Sequence, residues 1–259
     1  MPFADVPEGR LHYRIDGLAR APVVVLSNSL GTDLHMWSPQ VLDLAASYRV
    51  LRYDTRGHGL SSVTPGPYSI ERLGRDVVAL LDALAIQRAH FCGLSLGGMT
   101  GMWLGVHAAE RIDHLALCNT TARIGSPGLY DARIDAVRAG GMRVVVDAVM
   151  GRWFTADFIA QHEEHVAPVR AMLEHAPADG YIACCEAIRD MDQRDAISRI
   201  RLATLVVAGI HDLATPPAEG RFVAGAIPGA QYVELDAAHL SNIEAAPAFT
   251  SALLKFLAH

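Results

Sequence analysis

The stretch that most constrains this chain is Ala89-His-Phe-Cys-Gly-Leu-Ser-Leu-Gly-Gly-Met99. Its first residues, Ala89 to Cys92, are an apolar run of buried-strand type, and Met99 to Val106 has the composition of a helix. Only a few residues separate them, including Gly93-Leu94-Ser95-Leu96-Gly97, which fits G-x-S-x-G. A strand-to-helix turn this tight forces its central residue into a strained backbone conformation. It needs glycine on both sides, because a Cβ there would strike neighbouring backbone. The turn would hold the Ser95 hydroxyl at the end of a sheet, beside helix N–H groups that favour developing negative charge. The bland alternative is a glycine-rich turn that happens to contain a serine, so partner residues must decide.

The pattern around this turn alternates. Arg10 to Asp16 sets Leu11, Tyr13 and Ile15 against His12 and Arg14, as in a half-exposed strand near a sheet edge. Val23 to Leu26 is continuously apolar, as in a strand buried on both faces. Further strands are expected at Tyr48–Tyr53 and His114–Cys118, with helices near Asp33–Ala46 and along the stripe Ile70, Leu73, Val77, Leu80, Leu81, Leu84. Such alternation predicts an α/β fold, with a mostly parallel sheet and helices on both faces.

The rhythm breaks from about Ser126 to Ile197. Helical segments are expected at Leu129–Arg138, Met142–Trp153, Asp157–Glu174 and Gly180–Met191, with no strand. A single crossover needs only about a dozen residues, so this stretch reads as an inserted helical cap. It divides the chain into a core, 1–122 and 196–259, and a cap, 123–195. The sheet pattern resumes with a strand at Ala203–Ala208, a helix at Pro217–Ala226, a strand at Gln231–Leu235 and a helix at Pro247–Leu257.

Composition excludes several roles. The formal net charge is −6 and there is no basic tract, which argues against nucleic acid. No apolar run approaches the ~18 residues that span a bilayer, and the N-terminus has no secretory apolar core. Cys92 and Cys118 end apolar runs, while Cys184 and Cys185 are adjacent, a poor geometry for a disulfide. A reduced, cytoplasmic protein is expected. No cysteine has metal-ligand spacing and no G-x-G-x-x-G follows the first strands, so neither metal nor cofactor is expected. Oligomeric state is not legible.

A serine hydroxyl needs a base, and the base an orienting acid. Two loops after strands supply candidates. Asp212, in Gly209-Ile-His-Asp-Leu-Ala-Thr-Pro216, is the acid, and a helix-capping aspartate is its alternative. His239, in Asp236-Ala-Ala-His-Leu-Ser-Asn242, is the base. The order Ser, acid, His is that of the α/β-hydrolases. His12, His35, His107 and His162 lie where no strand would deliver them to the site. The oxyanion needs two backbone donors. One is Leu96 N–H; the other falls at Leu30 when Ser27-Asn-Ser-Leu-Gly-Thr32 is aligned on the His-Gly-x-Gly pattern. Here Asn28-Ser29 replaces the His-Gly pair.

Together these residues resemble the α/β-hydrolase superfamily. Tyr53-Asp-Thr-Arg-Gly-His-Gly-Leu-Ser61 fits its D-x-R-G-x-G-x-S loop, which implies a structural rather than catalytic His58. Asn28-Ser-Leu-Gly-Thr-Asp-Leu-His-Met-Trp37, Cys118-Asn-Thr-Thr-Ala-Arg-Ile-Gly125, Arg152-Trp-Phe-Thr155 and Glu234-Leu-Asp-Ala-Ala-His-Leu-Ser-Asn-Ile243 are similar to the 3-oxoadipate enol-lactonases. The resemblance implies hydrolysis of a small anionic lactone, through an acyl-serine and without a cofactor, in the catabolism of aromatic acids. Some relatives carry a C-terminal decarboxylase; none is expected here, since the sequence runs only twenty residues past His239. The substrate carboxylate calls for an arginine. Arg133 is the first choice, with Tyr130 one turn before it and Trp153 lining the pocket; Arg123 is the second. Each is also compatible with a purely structural place in the cap. Alternatives in the same class are a carboxylesterase, a lactonase for another ring or a cofactor-free perhydrolase. A slow-turnover hydrolase-fold binding protein is an alternative of another class, and a dehalogenase would want a carboxylate where Ser95 stands.

Overall fold

The computed structural model describes residues 2–125 and 127–258. Ser126, where the inserted stretch was expected to begin, lies outside them, as do Met1 and His259. The described residues form one eight-stranded sheet: β1 (Phe3–Val6), β2 (Gly9–Gly17), β3 (Val23–Ser27), β4 (Arg49–Tyr53), β5 (Ala89–Leu94), β6 (Ile112–Cys118), β7 (Ala203–Gly209) and β8 (Gln231–Leu235). Its order is β1-β2-β4-β3-β5-β6-β7-β8. The two ladders of β2 are antiparallel and the remaining ones are parallel.

Each central strand is apolar on both faces, and its alternate residues enter different cores. Val24, Leu26, Cys92, Leu94, Ala116 and Cys118 face one core; Val25, Phe91, Leu115 and Leu117 face the other. Helices α1 (Ser38–Ala45), the short α10 (Ser241–Glu244) and α11 (Ala246–Leu257) cover the first face. Helix α3 (Leu96–His107), α9 (Pro217–Ala226) and most of the apolar stripe of α2 (Ile70–Ala83) cover the second. The Ser69 side chain caps α2 by accepting the Arg72 N–H. This is the α/β-hydrolase architecture.

Between β6 and β7 run α4 (Pro127–Gly140), α5 (Val146–Trp153), α6 (Ala156–Gln161), α7 (Glu163–His175) and α8 (Ala178–Asp190). Their apolar faces join the first core without a break, through Val149, Leu173 and Tyr181 among others. The expected single helix 157–174 is two helices. His162 stands at φ −131° and ψ 49° between them, and the Thr155 hydroxyl caps the first. The segment expected as one helix from Met142 opens as a 3-10 turn, Met142–Val145.

The sheet edge also differs from expectation. β1 lies outside β2, and His12, expected on the exposed side of a strand near the edge, is 1% exposed. Its Nδ1 is 2.8 Å from Asp54 Oδ2. A four-residue strand leaves too short an alternation to be read in advance.

Strand order positions the site. The chain turns around at β3, which has β4 on one side and β5 on the other. In open α/β sheets a crevice opens at the C-terminal end of the strands at such a point. β3, β5, β6, β7 and β8 are consecutive neighbours and parallel, so the five loops that follow them meet along one rim.

Candidate active site

Ser95 follows β5 and precedes α3, at φ 57° and ψ −112°. This is left-handed territory for a residue with a Cβ, and it stores strain. The flanking glycines are required by contact. A Cβ on Gly93 would lie 2.1 Å from Gly97 O, and one on Gly97 2.2 Å from Ser27 O. Ser95 N–H donates to Cys118 O at 2.9 Å, and Thr120 Oγ1 donates to Ser95 O at 2.8 Å. The elbow is thereby pinned to the loop after β6.

Asp212 and His239 come together from the loops after β7 and β8. His239 Nδ1 donates to Asp212 Oδ2 at 2.8 Å, and both side chains are buried. The carboxylate is held on every side. Oδ1 accepts the N–H groups of Ala214 and Thr215, both at 2.8 Å; Oδ2 also accepts Thr215 Oγ1 at 2.8 Å and Asn119 Nδ2 at 3.1 Å. Burial pushes the Asp212 carboxyl up, but His239 and the bonds from Thr215 and Asn119 outweigh it, so it titrates below the usual range. His211, beside the acid in sequence, turns outward to Asp236 at 2.9 Å, and that pair is exposed.

Ser95 and His239 line one cavity of about 360 Å³. Among the described residues no hydrogen bond joins Ser95 Oγ to the ring, a looseness common before substrate binds. The donors expected at Leu30 and Leu96 have a distinctive setting. Among the described residues neither N–H has a protein acceptor, while the groups on either side are taken. Ser29 N–H meets Met36 Sδ at 3.2 Å, and Gly31 N–H meets His58 Nε2 at 2.8 Å. Ser95 N–H meets Cys118 O, and Gly97 N–H meets Asn28 O at 3.0 Å. Asn28, standing where the His-Gly pattern has histidine, supplies its own scaffolding. Its Nδ2 donates to Tyr53 O at 2.9 Å and its Oδ1 accepts Trp37 Nε1–H at 3.0 Å.

Arg133, Tyr130, Trp153 and Arg123 all line the cavity. The Arg133 guanidinium lies over the Tyr130 ring, 5.0 Å from its centroid. Burial works against its charge, and the neighbouring tyrosines Tyr181 and Tyr130 more than restore it. Arg123 is 3.7 Å from Asp192, a loose pair. Among the described residues Arg133 forms no ion pair. Neither does Arg152, a cavity-lining arginine that sequence reasoning passed over. Asn119 and Glu244 were missed as well. Asn119 bridges the acid and the histidine loop, donating to Ala238 O at 3.2 Å and accepting Ser241 Oγ–H at 2.6 Å. Glu244 Oε2 accepts Ala238 N–H at 2.7 Å while Oε1 accepts Thr155 N–H at 3.1 Å, tying α6 to the His239 loop. Asn119 was marked only by its place in the family-like segment Cys118–Gly125; Glu244 lies one residue beyond the segment that ends at Ile243 and carried no signal. Among the described residues no three His, Cys, Asp or Glu side chains converge as around a metal ion, and no helix is long and apolar enough to cross a membrane.

Comparison with known proteins agrees with this geometry. Residues 22–246 match the family model for the alpha/beta hydrolase fold. The 3-oxoadipate enol-lactonase 2 of Acinetobacter baylyi is 42% identical, covering 94% of this chain and 91% of that protein. The crystal structure of an enol-lactonase from Burkholderia xenovorans superposes with a TM-score of 0.98 at 52% identity, covering all of both chains. An esterase from Thermogutta terrifontis superposes at 0.91 with 28% identity, over 98% of this chain and 96% of that one. With the serine elbow, the buried acid–histidine pair and the shared cavity in place, the chain belongs to the α/β-hydrolase family, as a relative of the 3-oxoadipate enol-lactonases.

Proposed function

We propose that this protein hydrolyses 3-oxoadipate enol-lactone to 3-oxoadipate through an acyl-serine. The observation that carries the reading is the cavity itself. It brings Ser95, the Asp212-bound His239 and Arg133, a cation with no carboxylate of its own among the described residues, to one partly open cavity. The similarity to the Acinetobacter and Burkholderia enzymes supports the choice of lactone.

In this reaction Ser95 Oγ attacks the lactone carbonyl and its proton passes to His239 Nε2. Asp212 keeps the Nδ1–H tautomer and stabilises the imidazolium. Leu30 and Leu96 N–H hold the oxyanion, each such donor being worth about 2.7–4 kcal/mol in comparable sites. Collapse breaks the ring C–O bond, and His239 gives its proton to the freed enol oxygen, which stays tethered to the acyl-serine; the enol then passes to the ketone by loss of that O–H proton and protonation at carbon. Water, deprotonated by His239, then cleaves the acyl-serine and releases a second carboxylate. Arg133 binds the carboxylate already present on the substrate, with Tyr130 and Trp153 as pocket walls. Segment 123–195 acts as the cap that encloses the lactone, over a core of 1–122 and 196–259. We place the enzyme in the cytoplasm, working on a small anionic metabolite.

The test is steady-state hydrolysis of the enol-lactone generated in situ, alongside neutral p-nitrophenyl esters. A kcat/KM at least about tenfold higher for the enol-lactone supports the assignment; equal values on both would favour a general carboxylesterase. Mass spectrometry of a rapidly quenched turnover separates a true hydrolase from a slow binding protein, because only the former accumulates or passes through acylated Ser95 at the catalytic rate.

A further inference from the structure

The D-x-R-G-x-G-x-S loop carries a histidine that the reaction above does not use. His58 is 1% exposed and does not line the cavity. Its two ring nitrogens nevertheless have opposite, fixed roles. Nδ1 faces Arg56 O at 3.3 Å, and a carbonyl can only accept, so Nδ1 carries the proton. Nε2 faces the Gly31 N–H at 2.8 Å, which can only donate, so Nε2 is bare. Burial favours this uncharged ring.

Gly31 is the residue after the Leu30 donor. Ser29 to Thr32 form a turn closed by Thr32 N–H to Ser29 O at 3.2 Å, with Gly31 at φ 82°. That conformation at the third position is the one a type II turn requires. The alternative, type I, flips the peptide between Leu30 and Gly31. A flip would swing the Leu30 carbonyl toward the lone pair of Nε2 and take the Gly31 N–H away from it. The loop that presents His58 cannot retreat either. A Cβ on Gly57 would lie 2.7 Å from Gly180 Cα in α8, and the Cys184 thiol donates to Arg56 O at 3.7 Å.

We infer that His58 is a positioning residue for the oxyanion hole: its bare Nε2 anchors the Gly31 N–H and so pins in place the turn whose preceding peptide carries the Leu30 N–H at the cavity wall. The inference rests on the assignment of Leu30 as an oxyanion donor, but not on the identity of the lactone.

The experiment compares His58→Leu, which fills the space without an acceptor, with His58→Gln, whose amide can accept from Gly31 and donate to Arg56 O. Acylation rates are measured on p-nitrophenyl acetate and on the enol-lactone, together with the Kd of a simple boronic acid that forms a tetrahedral adduct with the serine. In His58→Leu the acylation rate is expected to fall about 10–100-fold on both substrates, approaching the loss of one oxyanion donor. The boronate Kd should rise in step, while KM for the enol-lactone stays within about threefold; His58→Gln should recover most of the loss. Should His58→Leu not fold, His58→Asn, too short to reach Gly31, takes its place with the same expectation. An acylation rate within about threefold of the parent in the folded non-accepting variant overturns the inference. So does an equal loss in both variants that tracks melting temperature. If the enol-lactone is not turned over while the acetate and boronate series behave as stated, the substrate assignment fails and the role of His58 stands.

Discussion

Asn119, at the end of β6, donates to Asp212 Oδ2 at 3.1 Å across 93 residues of sequence, and the same oxygen holds His239. Asn119 has φ 45° and is 1% exposed, so its backbone is held in an unfavourable region to aim one amide at two loops. Asn119→Ala should lower kcat about tenfold or more with KM little changed, since hydrogen bonds to charged groups are worth about 1.5–3 kcal/mol. Asp212→Asn should cost about 10⁴-fold in kcat, because the amide favours the wrong imidazole tautomer. Steady-state kinetics on the enol-lactone measures both.

Ser95→Ala should reduce activity by about 10⁴-fold or more and leave the fold intact. Ser95→Gly should be equally inactive but more stable than the alanine variant. Glycine relieves the strain at φ 57°, a difference of about 1 kcal/mol and about 2–4 °C in Tm. Differential scanning calorimetry of the two variants tests this, and equal melting temperatures would remove strain from the account of the elbow.

Arg133→Gln should raise KM for the carboxylate-bearing lactone about 10–100-fold and leave p-nitrophenyl acetate hydrolysis nearly unchanged. Arg123→Gln should do less, since Asp192 already attends that side chain at 3.7 Å. The opposite ranking would move the carboxylate subsite to the loop after β6.

Acid should weaken the fold through His90. Its ring lies edge-on to Tyr48 and His114, and its Nδ1 is buried without a partner among the described residues. Burial and the neighbouring His114 hold it below the ordinary value of 6.5. Above that value both folded and unfolded chains carry the neutral ring, so nothing is lost. As pH falls below it the unfolded chain takes the proton first, and stability drops until the lower folded pKa is reached. Denaturant titrations at about pH 7.5 and about pH 5 should therefore show a smaller loss in His90→Phe than in the parent.

Glu244→Gln should slow turnover about tenfold, because one carboxylate ties Thr155 and Ala238 together beside His239. A Tm loss with unchanged kcat would assign it to stability alone.

Sequence by itself determined the alternation of elements, the strained serine between two glycines, and the order Ser95, Asp212, His239. These are local facts: periodicity, turn chemistry and position after a strand. It did not disclose β1, too short to show a period, or the break at His162, which has no glycine or proline beside it. Nor could it disclose Asn119, Glu244 or the task of His58, because each acts on a partner tens of residues or more away whose nearness only strand order creates. Periodicity reports which face of an element is buried; it says nothing of which two loops will share a hydrogen bond once five parallel strands bring their ends to one rim.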